Sequence, residues 1–289
     1  MVIALFKAMR PRQWVKNGVI FTGLVFDRQL GLNNIPTMLR VFGGFIIFCL
    51  VSGVVYLIND IADVEADRNH PTKRNRPIAS GALSIQAARL AAIIILVVVF
   101  PLSYWLSPYF ALVTLVYLLV NLAYTNWLKH IVLVDVMTIA AGYVLRVVAG
   151  ITLLSHVARF SPWLYIVTTS GALFLGFGKR RAELTMLAEG ANVHRKVLDG
   201  YTIPLLDQYI NIVLSTAILS YSLYTFNDPN LPVMMLTIPY VVYGVFRYMY
   251  LIHTKDCGGA PEDVLISDRP LQLAILLWGF TVLLIFYIF

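Results

Sequence analysis

Asn59-Asp60-Ile61-Ala62-Asp63-Val64-Glu65-Ala66-Asp67-Arg68-Asn69-His70-Pro71-Thr72-Lys73-Arg74-Asn75-Arg76-Pro77 is the densest run of charge in a 289-residue chain, and it lies between two long apolar stretches. If its first half continues the preceding helix, Asn59, Asp63 and Asp67 recur at i, i+4 and i+8 with Asp60 beside them. One helix face then carries an amide and several carboxylates. Like charges at that spacing repel, so the arrangement is costly unless a cation sits among them. Hard oxygen donors favour Mg²⁺ held jointly with substrate phosphates. Arg68, His70, Lys73, Arg74 and Arg76 follow at once. Acid followed directly by base suits a metal-bridged diphosphate: carboxylates take the metal, and lysine and arginine take the remaining phosphate oxygens. The competing account is a solvated loop between two helices.

Composition sets this stretch in a membrane. With 59% hydrophobic residues, 13% charged residues and a mean hydropathy of +0.78, the chain is too apolar for a soluble domain and reads as an all-α polytopic membrane protein. Its net charge of +7 does not point to nucleic acid, because the basic residues sit in short loops between apolar runs. Cys49 in an apolar run and Cys257 in a loop are too few for a disulfide or zinc framework. Met1 to Phe6 is too short an apolar start for a signal peptide.

Working outward, apolar runs of roughly 14–32, 39–58, 84–106, 108–126, 131–154, 162–178, 203–226, 232–252 and 270–289 predict about nine transmembrane helices. The first has a clean apolar core of only Gly18 to Phe26 and also fits an interfacial helix. Lys7, Arg10, Arg12 and Lys16 precede it, and the basic residues of the 59–82 loop, Lys129, the Lys179 to Lys196 segment, Lys255 and Arg269 fall on the same side. Arg28, Arg40 and Arg159 fall opposite. That bias places the N-terminus and the long basic loops in the cytoplasm and the C-terminus outside, and the expected location is the plasma (inner) membrane. No linker or composition shift divides the chain, so residues 1–289 read as one domain.

Charges inside spans are expensive and normally face a cavity or a partner. Asp135 and Arg146 are eleven residues apart in one run, about three helical turns, and so share a stripe that reads as a cavity wall. Gly142 and Ala149 share that face, so helix packing competes with this account. Arg247 and Arg89 read as snorkelling, interfacial cations. A second charged extension, Lys179 to Tyr201, echoes Asn59 to Arg76 as a weak repeat but leads with base: Lys179, Arg180 and Arg181, then Glu183 at i+4 from Lys179. Topology alone also accounts for three cations at a cytoplasmic helix end.

Asn59-Asp60-x-x-Asp63-x-x-x-Asp67, followed by Lys73-Arg74 and Arg76-Pro77, resembles the first aspartate-rich motif of the UbiA-type intramembrane prenyltransferases. Four segments are similar to the decaprenyl-phosphate phosphoribosyltransferase branch of that superfamily: Arg10 to Asn17, Asp63 to Lys73, Gly178 to Leu184, and Pro261-Glu262-Asp263-Val264 with Asp268-Arg269. The chain departs from the wider family after the sixth span, where Lys179-Arg180 and Glu183 stand in place of a second aspartate motif. The resemblance implies a UbiA-type bundle with a central cavity opening to the cytoplasm. It implies Mg²⁺-dependent transfer of 5-phosphoribosyl from phosphoribosyl diphosphate to a polyprenyl phosphate, in cell-wall biosynthesis. Asn59, Asp60, Asp63 and Asp67 would hold metal, and Asp63, Asp67 and Lys73 would form the catalytic set. Lys16, Asn17, Arg68, His70, Lys73, Arg76, Lys129, Asp135, Arg146, Lys179, Arg180 and Glu183 would bind substrate. Extra phosphate explains extra base physically, because this donor carries a diphosphate and a 5-phosphate and the lipid brings another phosphate. Transfer of a prenyl group to an aromatic or other acceptor is the alternative enzyme reading, and a transporter is the non-enzymatic one. A homo-oligomer is compatible with the sequence.

Overall fold

The computed structural model describes residues 1–154, 161–188, 196–226, 232–254, 264 and 267–288, and among them all regular structure is helical. The α-helices are α1 (Val2–Ala8), α2 (Thr22–Phe26), α3 (Ile35–Ala62), α4 (Val64–Arg68), α5 (Ile85–Leu106), α6 (Pro108–Asn126), α7 (Val134–Ile151), α8 (Pro162–Ala188), α9 (Ile203–Phe226), α10 (Ile238–Thr254) and α11 (Arg269–Ile288). Seven stretches among the described residues are long and apolar enough to cross a membrane: α3, α5, α6, α7, α9, Pro232–Thr254 and Arg269–Tyr287.

The other two expected spans are built differently. In α8 the apolar part ends at Gly178, about 25 Å along the helix, and the same helix continues through Lys179, Arg180 and Arg181 to Ala188. The first expected span is not one α-helix. Pro11–Phe21 is a 3₁₀ helix and Thr22–Phe26 one α-turn more. Eleven residues rising about 2.0 Å and five rising about 1.5 Å still cover roughly 30 Å, the thickness of bilayer hydrocarbon. The narrower helix allows a close approach: a Cβ on Gly150 of α7 would lie 2.0 Å from the Ile20 carbonyl oxygen.

By its internal contacts the chain divides into two compact units, residues 1–128 with 145–159 and residues 129–144 with 160–289. α7 is one uninterrupted helix that contributes its first part to the second unit and its end, from Leu145, to the first. In the first unit α3 packs against α5, α6 and the Pro11–Phe21 helix. It is the central element, with 56% of its apolar span buried against 17% for α5. Ile20, Leu24, Val41, Phe48, Val51, Val99, Phe110 and Leu153 fill the core around it. Lipid is as apolar as leucine, so helix association here depends on close packing and buried polar contacts.

In the second unit α8 and α9 pack along their length, and α10 packs on α11. Val136, Phe177, Val197, Tyr201, Leu206 and Ile210 form the main core. Arg247 does not merely snorkel: its Nε and NH2 donate to the two carboxylate oxygens of Asp268 at 3.1 and 2.8 Å. Asp268 also accepts the Leu271 N–H at 2.9 Å, capping α11.

Candidate active site

The acidic stretch is positioned by the end of α3. The helix stops at Ala62, and Asp63 turns to φ −96°, ψ 10° before α4 begins. Two backbone bonds keep the helical pitch across this break: the Asp63 N–H donates to the Asn59 carbonyl at 2.9 Å, and the Asp67 N–H donates to that of Asp63 at 2.8 Å. Asp60 and Asp67, seven residues and two turns apart, therefore fall on one buried face, at 2% and 3% exposure. The expected grouping of Asn59, Asp63 and Asp67 shifts accordingly. The buried pair is Asp60 with Asp67, while Asn59 and Asp63 are half-buried beside it.

The cations that relieve the repulsion come from both directions in sequence. Arg76 NH1 lies 2.5 Å from Asp67 Oδ2 and 3.2 Å from Asp60 Oδ1, bridging the two carboxylates. Arg10 NH2 lies 2.5 Å from the same Asp60 oxygen, with its guanidinium 4.7 Å above the Tyr56 ring centre. Arg10 holds φ at +53°, the left-handed region, directly before Pro11. Such a backbone costs a non-glycine residue about 1–2 kcal/mol, so the surrounding contacts must outweigh it.

The remaining oxygen, Asp60 Oδ2, is buried with no hydrogen-bond partner among the described residues. Also among those residues, no three acidic, histidine or cysteine side chains converge on one point. This donor set fits Mg²⁺, which binds through one or two carboxylates and completes its octahedron with water and substrate phosphate.

The other residues of the loop divide. Arg68 is exposed and pairs with Glu65 at 2.9 Å. His70 Nδ1 accepts the Thr72 and Lys73 N–H groups at 3.3 and 3.4 Å and so shapes the turn. Lys73 is exposed on the short 3₁₀ helix Lys73–Asn75. Of the basic residues expected at the acids, the structure brings Arg76 to them and leaves Arg68 and His70 within their own loop.

Asn17 and Arg146 meet in a second polar cluster of the first unit. Arg146 Nε donates to Asn17 Oδ1 at 2.7 Å, and its NH2 donates to the Tyr117 hydroxyl at 2.8 Å. Asn17 Nδ2 donates to Ser52 Oγ at 3.2 Å and reaches Cys49 Sγ at 3.3 Å. Asn17 is fully buried and Arg146 nearly so, which makes this an internal tie between α7 and the Pro11–Phe21 helix. Lys16, next to Asn17, is half-buried.

In the second unit Asp135 and Arg180 are both fully buried. Arg180 Nε and Asp135 Oδ2 are in ion-pair contact at 2.9 Å without hydrogen-bond alignment. Arg180 NH1 also pairs with Glu183. Tyr201 donates its hydroxyl to Asp135 Oδ1 at 2.8 Å and accepts the Leu133 N–H at 2.7 Å. Arg181 Nε pairs with Asp207 Oδ1 at 2.5 Å. Lys179 is exposed and Lys129 half-buried.

This changes the expected roles. Arg180, expected at the substrate, is fully buried against Asp135, and Glu183, expected there too, pairs with it. Asp135 and Arg146 do share a continuous helix, and each has buried partners within its own unit. Arg10 and Tyr201 were missing from the residue-level reading. Only the Arg10 to Asn17 resemblance hinted at the first, and nothing local marks the second. Pro261, Glu262, Asp263, Arg159, Arg195 and Lys255 lie outside the described residues.

Comparison with known proteins adds the following. The family model of the UbiA prenyltransferase family matches residues 19–261. Decaprenyl-phosphate phosphoribosyltransferase of Corynebacterium glutamicum is 32% identical over 98% of this chain and 87% of its own length. The protein of that name from Mycobacterium tuberculosis is 33% identical over 98% of this chain and 94% of its own length. A UbiA homolog from Archaeoglobus fulgidus, solved bound to GPP and Mg²⁺, superposes with a TM-score of 0.71 at 16% identity, covering 98% of this chain and 96% of that one.

Proposed function

The chain belongs to the UbiA prenyltransferase family, and from that premise we propose that it is a polyprenyl-phosphate phosphoribosyltransferase. It transfers a 5-phosphoribosyl group from phosphoribosyl diphosphate to a polyprenyl phosphate of the decaprenyl type and releases diphosphate. The observation that carries this reading is the similarity to decaprenyl-phosphate phosphoribosyltransferases, 32–33% identical over 98% of the chain, and the exchange of acid for base on α8 agrees with it. Where the wider family has a second aspartate motif, this chain has Lys179, Arg180 and Glu183, with Arg180 neutralised internally and Lys179 exposed. That suits a reaction with more phosphate to hold than a prenyl diphosphate brings.

The chain's residues do the following. Asp60 and Asp67, with Asn59 and Asp63 beside them, would hold Mg²⁺. When bound, the metal neutralises diphosphate charge and improves it as a leaving group. Arg76, already bridging the two carboxylates, and Lys73 lie in the same loop to take diphosphate oxygens. An oxygen of the lipid phosphate attacks the anomeric carbon of the ribose as the bond from that carbon to the diphosphate oxygen breaks. The nucleophile is already anionic, so no general base is needed, and positioning supplies most of the acceleration. This reading assigns Lys179, Lys129 and Lys16 to the 5-phosphate and the lipid phosphate.

The protein is a multi-pass membrane protein; this reading places it in the plasma membrane, and the Lys and Arg distribution favours a site facing the cytoplasm. A single Thr72→Cys cysteine should react with an impermeant maleimide only from the cytoplasmic side; reaction only from the outer side would invert this topology.

The test of function is incubation of purified protein with Mg²⁺, ribose-labelled phosphoribosyl diphosphate and polyprenyl phosphate, followed by lipid extraction. Label enters the lipid fraction, and excess chelator prevents it. Prenyl transfer from a prenyl diphosphate, with phosphoribosyl diphosphate ignored, would replace this reading by the prenyltransferase one.

A further inference from the structure

Arg10 lies outside the aspartate motif, fifty residues before Asp60, yet the packing around it delivers its side chain there. The chain lies against α3 at Met9, where Gly53 leaves room: a Cβ on Gly53 would lie 2.5 Å from Met9 Cε and 3.0 Å from its Cβ. The Met9 carbonyl accepts the Trp14 indole N–H at 3.2 Å, which ties the chain beyond Arg10 back to the same point. Between them Arg10 takes the left-handed backbone, φ 53° and ψ 65°. Its guanidinium rests over the ring of Tyr56, one turn before Asp60 on α3, with NH2 on Asp60 Oδ1.

That one oxygen carries both guanidiniums, Arg10 at 2.5 Å and Arg76 at 3.2 Å, and Arg76 also holds Asp67. Two carboxylates face two guanidiniums, so the four groups joined by these ion pairs sum to zero formal charge. A lone divalent cation entering here would add its charge beside two arginines and would have to draw Asp60 away from them. The donors are also too few for it, since among the described residues no three acidic, histidine or cysteine side chains converge on one point.

A metal–diphosphate complex meets neither obstacle. It brings oxygens of its own, and its negative charge gives the arginines another anion to bind. Asp60 Oδ2, on a side chain only 2% exposed and without a hydrogen-bond partner among the described residues, is the oxygen left for the metal.

Of the two arginines, Arg76 is committed to both acids, while Arg10 holds Asp60 alone among the described carboxylates. Arg10 is also 29% exposed, and Tyr56 supports its face whichever anion its edge donates to.

We propose that Arg10 makes this site selective for a metal–diphosphate complex over the free metal ion. Paired with Asp60, it opposes a lone cation; with metal and diphosphate bound together, it stays over Tyr56 and donates to a diphosphate oxygen. This rests on the reading of the acidic cluster as the diphosphate site, and it gives Arg10 a role in binding with no part in bond making.

Equilibrium dialysis of the full-length protein in detergent, with Mn²⁺ in place of Mg²⁺, measures metal bound with and without inorganic diphosphate. Wild-type protein takes up Mn²⁺ with diphosphate at a concentration roughly tenfold or more below that needed for Mn²⁺ alone. In Arg10→Gln, free Mn²⁺ binds roughly tenfold more tightly and Mn²⁺ with diphosphate roughly tenfold more weakly, so the gap closes. Arg10→Lys keeps the charge without the planar fork: free Mn²⁺ binds within about threefold of wild type, and diphosphate-dependent binding falls roughly fivefold. Unfolding midpoints show which variants are folded, and Arg10→Lys carries the test if Arg10→Gln is not. A folded variant that weakens both kinds of binding alike, or changes neither, overturns the proposal. So does wild-type protein that binds Mn²⁺ equally well with and without diphosphate. Wild-type protein that binds neither Mn²⁺ nor diphosphate would instead overturn the reading of the acidic cluster on which the proposal rests.

Discussion

The acidic cluster at the end of α3 and the basic cluster on α8 both mix carboxylates with arginines, but they are assembled in opposite ways. Around Asp60 and Asp67 the acids are buried and the arginines lie at the rim, with Arg10 29% and Arg76 25% exposed. Around Asp135 the arginine is as buried as its partner, at 1% and 0%. A rim guanidinium exchanges one anion for another at modest cost, because water takes over its solvation. A buried one does not, because leaving its partner strands a charge where no water reaches it. The first cluster is therefore suited to receive a substrate phosphate, and the second to hold a helix end still.

Breaking the second cluster should have the largest effect, and it should fall on stability. Arg180→Ala leaves Asp135 without its cation and is expected to cost about 3–5 kcal/mol, read as a lowered unfolding midpoint in detergent. The Arg180→Met, Asp135→Leu pair removes both charges and should recover much of that loss while activity stays low. If Arg180→Ala is as stable as wild type, the pair is not the anchor described.

Breaking the first cluster should act on turnover. Asp67→Asn keeps the side-chain shape and is expected to lower kcat by roughly 10²–10³-fold, the scale of one lost transition-state electrostatic contact, with little change in unfolding midpoint. Equal loss of stability in Asp67→Asn and Arg180→Ala would erase the distinction between the clusters.

How far this was legible from sequence varies by region. Pro108–Asn126 and Ile203–Phe226 are helices over the residues where their apolar runs begin and end. Ser107 caps the first of these by accepting the Phe110 N–H at 3.4 Å. The acid-then-base stretch was legible as a cluster because its charges are close in sequence, and the structure brings Asp60, Asp67 and Arg76 of that stretch together. What could not be read is what depends on distant partners. Three consecutive cations at 179–181 look alike in sequence, and only Asp135 and Asp207, far away in the chain, separate an anchor, a flank pair and an exposed lysine. The Asp60–Asp67 pairing was hidden because which side of this helical stretch is buried is set by partners such as Arg10, fifty residues from Asp60. The close approach of Ile20 to Gly150 joins positions more than a hundred residues apart, which no local pattern announces.

The smallest effects sharpen the comparison within α8. Lys179→Ala should raise KM for phosphoribosyl diphosphate roughly tenfold, well above the effect of a surface charge. Glu183→Gln should change the Mg²⁺ concentration for half-maximal rate by less than about twofold, because Glu183 pairs with Arg180 and the proposed metal ligands lie in the acidic cluster. A large rise in the Mg²⁺ requirement of Glu183→Gln would make it a metal ligand and return part of the second motif to the ancestral pattern.

The central claim is that this membrane site moves a phosphoribosyl group and not a prenyl group. Its most direct test offers purified wild-type enzyme, in one Mg²⁺-containing incubation, ribose-labelled phosphoribosyl diphosphate, polyprenyl phosphate, a prenyl diphosphate labelled in its chain and an aromatic acceptor. The account predicts that ribose label appears in extracted polyprenyl phosphate mole for mole with diphosphate released, and that prenyl label stays in its diphosphate. Prenyl label transferred to the acceptor, with no ribose label in the lipid, would contradict it.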